Sequence, residues 1–190
     1  GDAGTTKSFV DAKDYFDGFE GIPYDLVTGN HDLEGLDEFD TDEANLQAWM
    51  DCFNKDTPCF SRTIGDKTIL LGLSTVRFRD APYSSHEVHV DEEQIEWFQN
   101  MVESHPESDG WKILVFSHAP IVGSGLRVLQ SVHVTNGCAW LNHCSQPDTR
   151  NSFVRIVKEN PQIKCWLSGH FHLSHDYQDA LVQPVPGSPC

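Results

Sequence analysis

The sequence predicts an α/β domain: a layered, mixed β-sheet sandwich flanked by helices. Three observations carry that expectation. Apolar runs recur at 22–27, 111–116 and 163–168, and each leads into a loop that bears histidine. Stretches with apolar residues three and four apart lie between them, as amphipathic helices require. Two further short runs, 60–64 and 68–73, flank Gly65-Asp66-Lys67, which is a hairpin signal.

Each element follows in order. Phe9, Ala12, Phe16 and Phe19 set a helical stripe over 7–19, closed by Gly21 and Pro23. The run Ile22-Pro23-Tyr24-Asp25-Leu26-Val27 reads as a strand that stops at Gly29-Asn30-His31-Asp32. The acidic run over 34–43 reads as a solvated loop rather than a cation site, because like charges without fixed geometry repel and hydrate. A short helix is expected over 44–53, and a short strand over 87–90. Asp91 with Gln94 three residues on resembles a capping box, and Ile95, Phe98 and Val102 form the stripe of the helix behind it. Pro106 and Gly110 end that helix. The next strand delivers Ser117-His118. The segment 119–146 is long and irregular, as functional loops are. A second stripe over 151–160 stops at Pro161, and the last strand delivers Gly169-His170-Phe171-His172.

The 190 residues suffice for one domain, expected over 1–190, with a sizeable core. With 13 basic and 29 acidic side chains the formal net charge is −16. Such a surface argues against nucleic acid or an anionic membrane as partner, since both need clustered Lys and Arg. No run of about 18 apolar residues is present, so no membrane-spanning helix is expected. The chain opens on Gly1-Asp2, with neither an initiator Met nor a signal peptide. It is therefore expected to be part of a longer protein, incomplete at the N-terminus and at the C-terminus. Six cysteines leave two readings open. Free thiols in a reducing compartment are the preferred reading, with Cys165 a buried thiol; Cys52 with Cys59 and Cys138 with Cys144 are close in sequence, and a disulfide in either pair is the alternative.

In layered α/β sheets, sites form outside the carboxyl ends of strands. Asn30, His31, His118, His170 and His172 all fall there, which argues for one convergent site. Imidazole, amide and carboxylate donors without thiolate suit Mn, Fe or Zn. His170 and His172, two residues apart, cannot face one way on a strand, but in a loop just past it they reach two adjacent metals. Asn30 is a neutral oxygen ligand, suited to a site where a carboxylate already supplies charge. His31 is better placed for a substrate oxygen than for a metal, and Asp32 is placed to hold its ring. His86, His89, His105 and His175 read as structural.

Gly-Asn-His-Asp, then a strand ending in Ser-His, then Gly-His-Phe-His, in this order over 29–172, resembles the calcineurin-like metallophosphoesterase family. The wording around Asn30–Gly35 and Asn136–His143 also resembles a plant and algal branch of it, which carries the expectation of a plastid location. The resemblance implies a phosphoester hydrolase with two metal ions and a bridging hydroxide that attacks phosphorus in line. It implies that Asn30, His118 and His170 ligate one metal and His172 the other, while His31 stabilises the transition state or protonates the leaving group. Arg127 is a candidate for a phosphate oxygen, because guanidinium matches phosphate geometry, with a surface or structural role as the alternative.

Two departures from the family pattern matter. The opening Asp-x-His motif, which supplies two ligands to the first metal, is absent from this sequence. Of the second motif only Gly1-Asp2 remains, so Asp2 is either the bridging carboxylate or a loop residue. Two functions follow as expectations: a metal-dependent phosphoester hydrolase, or a weakly catalytic or non-catalytic subunit of a larger, plastid assembly that uses the fold for contact.

Overall fold

A computed structural model describes residues 3–81, 87–122, 139–142 and 152–172 of the chain. Four strands form one mixed sheet in the order β1-β2-β3-β4. β1 (Phe60–Gly65) and β2 (Thr68–Leu73) are the expected antiparallel hairpin. β3 (Lys112–Ser117) runs parallel to β2, and β4 (Ile163–Ser168) parallel to β3. The α/β expectation holds. Among the described residues, one sheet rather than two is present.

Of the four described α-helices, the last two cover one face of that sheet. α1 (Thr6–Asp17) and α2 (Asp42–Cys52) precede it in the chain, and α3 (Glu92–Ser104) and α4 (Ser152–Glu159) precede β3 and β4. Ile95, Phe98 and Val102 of α3 and Phe153, Ile156 and Val157 of α4 bury against Ile69, Leu71, Ile113, Val115 and Ile163. Each such side chain contributes about 1.5–3 kcal/mol through burial. Phe98 meets Phe153 and Trp166 edge-on, at 5.8 and 5.7 Å between centroids.

Several expectations need correction. The run 22–27 forms neither a strand nor a helix. A strand exists only where a neighbour's backbone completes its ladder, and among the described residues none lies beside it. The segment is fastened at Asp25, whose carboxylate accepts from Nε and, at 3.0 Å, from Nη2 of the Arg62 guanidinium on β1, and at Thr28. The Thr28 N–H donates to Ser74 Oγ at 2.9 Å, the Thr75 N–H to the Thr28 carbonyl at 3.1 Å, and the Thr28 hydroxyl to the Thr75 carbonyl at 2.5 Å. The segment 87–90 is likewise not a strand. The buried amide of Asn142, at φ 55°, supplies what a neighbouring strand would: its Oδ1 accepts from Val90 N–H at 2.8 Å and its Nδ2 donates to the Val90 carbonyl at 3.0 Å.

α1 stops at Asp17, two residues early, and only Phe9 of its stripe is buried; Phe19 is exposed. α1 also has a capping box that the sequence reading missed, with Thr5 and Ser8 bonding reciprocally. In α3 the box is half made. Asp91 accepts from Gln94 N–H at 2.9 Å, but the Gln94 side chain turns to the backbone of Ser74. The acidic run is not all solvated. Asp42 is buried and its carboxylate accepts from the N–H groups of Phe78, Arg79 and Asp80 at 2.9, 2.7 and 2.9 Å. Cys52 and Cys59 are free thiols, in line with the preferred reading, while Cys165 is half-buried rather than buried. Cys138 and Cys144 lie outside the described residues. No described helix is long and apolar enough to cross a membrane.

Candidate metal centre

β3 and β4 are parallel and in register at their ends, where Ser117 faces Ser168. The loops that leave them therefore start side by side at one sheet edge. The Gly169 N–H donates to the His118 carbonyl at 2.8 Å and ties the two loops together. Below them, Trp166 Nε1–H donates to Ser117 Oγ at 2.8 Å, and that hydroxyl donates on to the Ala119 carbonyl at 2.7 Å. The loop at 29–32 arrives from the side, held by the Gln94–Ser74–Thr28 relay just described.

This arrangement brings three of the expected residues together. His118 Nε2 lies 3.0 Å from Asn30 Oδ1 and 2.9 Å from His170 Nδ1. Asn30 and His170 are buried. One ring nitrogen offers one hydrogen or one lone pair, so the two contacts cannot both be linear hydrogen bonds. A cation between the three donors accepts a lone pair from each. Two donors at right angles about an octahedral cation, each about 2.1 Å from it, stand about 3.0 Å apart. The observed spacing is that of such a site, and the donor set fits a metal of the Mn, Fe or Zn type.

Backbone geometry supports the same reading. His170 and His172 both have left-handed backbone, at φ 66° and 51°. Such residues cost of order 1–3 kcal/mol each and collect at functional sites. At Gly29 an added Cβ would meet the His118 ring at 2.7 Å from Nδ1, so glycine is needed for the close approach of loop and ring. Burial, followed by the charges of His31 and His172, lowers the His118 pKa to about 4. The ring is therefore neutral at neutral pH, as a metal ligand must be.

The remaining expected residues divide. His172 and His31 are exposed beside the cluster. Asp2 and Arg127, like His86, His133, Asn136, His143 and His175, lie outside the described residues. Counting only His, Cys, Asp and Glu, no group of three that could hold an ion occurs among the described residues; Asn30 is the third donor here. The role given to Asp32 is corrected. Its Oδ2 accepts from Gly29 N–H at 2.7 Å, closing the loop on itself. Burial pushes its carboxyl pKa up, against that hydrogen bond and the charge of His31. The carboxylate on the His31 ring belongs instead to Glu34, whose Oε2 is 2.6 Å from Nδ1. The sequence carried a signal for this pair: the residues are three apart, and 31–33 forms a 3₁₀ turn, in which such positions eclipse.

Asn45 was also missed. It is buried on α2 and clamps the loop from below: Oδ1 accepts from Gly35 N–H at 3.0 Å, and Nδ2 donates to the carbonyls of Gly4 at 2.8 Å and Asp32 at 3.3 Å. Of the histidines read as structural, His89 is half-buried beside Arg77, and His105 stacks edge-on against Trp111 at 4.4 Å.

A sequence model of the calcineurin-like phosphoesterase family matches residues 2–174. Among solved structures, a dimetal phosphatase from Danio rerio superposes with a TM-score of 0.50 at 13% identity, covering 77% of this chain and 54% of that one. At that identity the likeness is one of fold, and this chain spans about half of its neighbour's length. No curated protein matches the sequence. A family match over nearly the whole chain, joined to three motif donors converging at one sheet edge, means that the chain belongs to the calcineurin-like phosphoesterase family.

Proposed function

We propose that this chain is the metal-binding domain, a single unit over 1–190, of a metal-dependent phosphoester hydrolase. The observation that carries the reading is the spacing of Asn30 Oδ1, His118 Nε2 and His170 Nδ1, at 3.0 and 2.9 Å. These three side chains hold one divalent or trivalent ion, and His172 reaches a second. Asp2 adds the carboxylate that two neutral imidazoles and an amide lack. When bound, such ions supply Lewis-acid polarisation of a phosphoryl oxygen and a water of lowered pKa.

The chain's own residues do the rest. Gly29 and Asp32 fix the loop so that Asn30 faces inward and His31 outward. His31 stands at the rim, where a phosphoester's leaving oxygen arrives, and donates a proton from Nε2 as the P–O bond breaks. Arg127 binds a non-bridging phosphate oxygen. The acidic surface favours small phosphoesters over long nucleic acids.

The test is elemental analysis of freshly purified protein, alongside hydrolysis of p-nitrophenyl phosphate and bis-p-nitrophenyl phosphate. At least one Mn, Fe or Zn per chain with turnover is expected. Less than one metal per chain without turnover overturns the reading.

A further inference from the structure

We infer that Glu34 is a positioning residue for His31: its carboxylate holds Nδ1 of the ring and so turns Nε2 toward the leaving group. The inference rests on the phosphoesterase reading and adds to it a residue that no motif supplies.

Three observations support it. The contact is direct, with Glu34 Oε2 at 2.6 Å from His31 Nδ1. The neighbouring carboxylate is engaged elsewhere, since Asp32 Oδ2 accepts from Gly29 N–H at 2.7 Å. The Glu34 backbone is fixed on both sides. Its N–H donates to the His31 carbonyl at 3.3 Å, and Asn45 holds the carbonyl of Asp32 before it and the N–H of Gly35 after it. Gly4, at φ 72°, packs against this turn so closely that a Cβ would stand 2.5 Å from the Glu34 nitrogen.

Stability does not explain the pair. The His31 and Glu34 side chains are 55% and 39% exposed, and exposed pairs contribute little. What the contact decides is orientation. An imidazole has two nitrogens, and the partner of one fixes the direction and proton state of the other. With Nδ1–H donated to Glu34, the neutral ring presents the lone pair of Nε2, which takes up a proton to form the imidazolium; that proton passes to the ester oxygen as the P–O bond breaks. The ring is left neutral with its remaining hydrogen on Nδ1, facing Glu34.

Two measurements on the full chain test this. In ¹⁵N imidazole spectra, with the His31 signals assigned by their loss in His31→Gln, Glu34→Ala shifts His31 from the Nδ1–H toward the Nε2–H tautomer. In the metal-loaded enzyme, Glu34→Gln lowers kcat for phenyl phosphate about tenfold more than for p-nitrophenyl phosphate, because the poorer leaving group depends more on a placed acid. An unchanged tautomer, or equal losses on both substrates, overturns the inference. A tautomer shift in a protein that binds no metal and hydrolyses nothing supports the contact and overturns the phosphoesterase reading instead.

Discussion

The His118 imidazole lies flat against the backbone of Gly29, leaving no room for a side chain: an added Cβ would come within 2.7 Å of Nδ1 and 2.8 Å of Cε1 and Cγ. Gly29→Ala therefore displaces the ring from the position where Nε2 meets Asn30 and His170. Overpacking of this kind costs about 1–3 kcal/mol. The expected result is a lower melting temperature and metal content well below that of the parent. Full metal occupancy in a stable Gly29→Ala protein would show that the ring has another place to go.

Asn45 acts one layer below. Asn45→Ala leaves the buried Gly35 N–H without its acceptor, and the Gly4 and Asp32 carbonyls without their donor. An orphaned buried group costs about 1–3 kcal/mol. Denaturant titration should show a shifted midpoint at unchanged slope. Turnover should fall too, because the same amide brackets Glu34.

His31→Ala separates chemistry from metal binding. His31 is exposed, and Nδ1 of its ring meets Glu34 at 2.6 Å. Metal content should stay at the parent level while kcat falls about 10²- to 10⁴-fold, the range of a lost general acid. Unchanged turnover would remove His31 from the reaction.

Acid sensitivity is expected from His89. Burial, and then the charge of Arg77, lowers its pKa from the ordinary 6.5 to about 4, with Asp91 opposing. As pH falls below 6.5 the unfolded chain takes up this proton before the folded one does. Stability is therefore full above about 6.5 and is lost toward pH 4, by at most about 3 kcal/mol for one such residue. His89→Asn should flatten that part of the stability profile. An unchanged slope between pH 6.5 and 4 would place the acid sensitivity elsewhere.

What the sequence determined by itself is local. Apolar runs at 68–73, 111–116 and 163–168 became β2, β3 and β4, because each has apolar side chains to bury in the common core. The stripe of Ile95, Phe98 and Val102 became α3 for the same reason. Glycine at 29, asparagine at 30 and histidines at 118 and 170 announced a site at strand ends. What the tertiary structure decided is non-local. The residues meeting at His118 are 88 and 52 positions away, and only the parallel register of β3 and β4 sets their loops at one edge. Pairing also unmade two expected strands: 22–27 and 87–90 have no ladder beside them among the described residues, and these stretches are fastened by Arg62, Ser74, Thr75 and Asn142 instead. The choice between two carboxylates was made in the same way. Asp32 stands next to His31 in sequence, yet the turn directs it to Gly29 N–H, and the eclipsed position three residues on gives the ring to Glu34. A side chain's partner is set by where the backbone points it, and that direction exists only once the turn has formed.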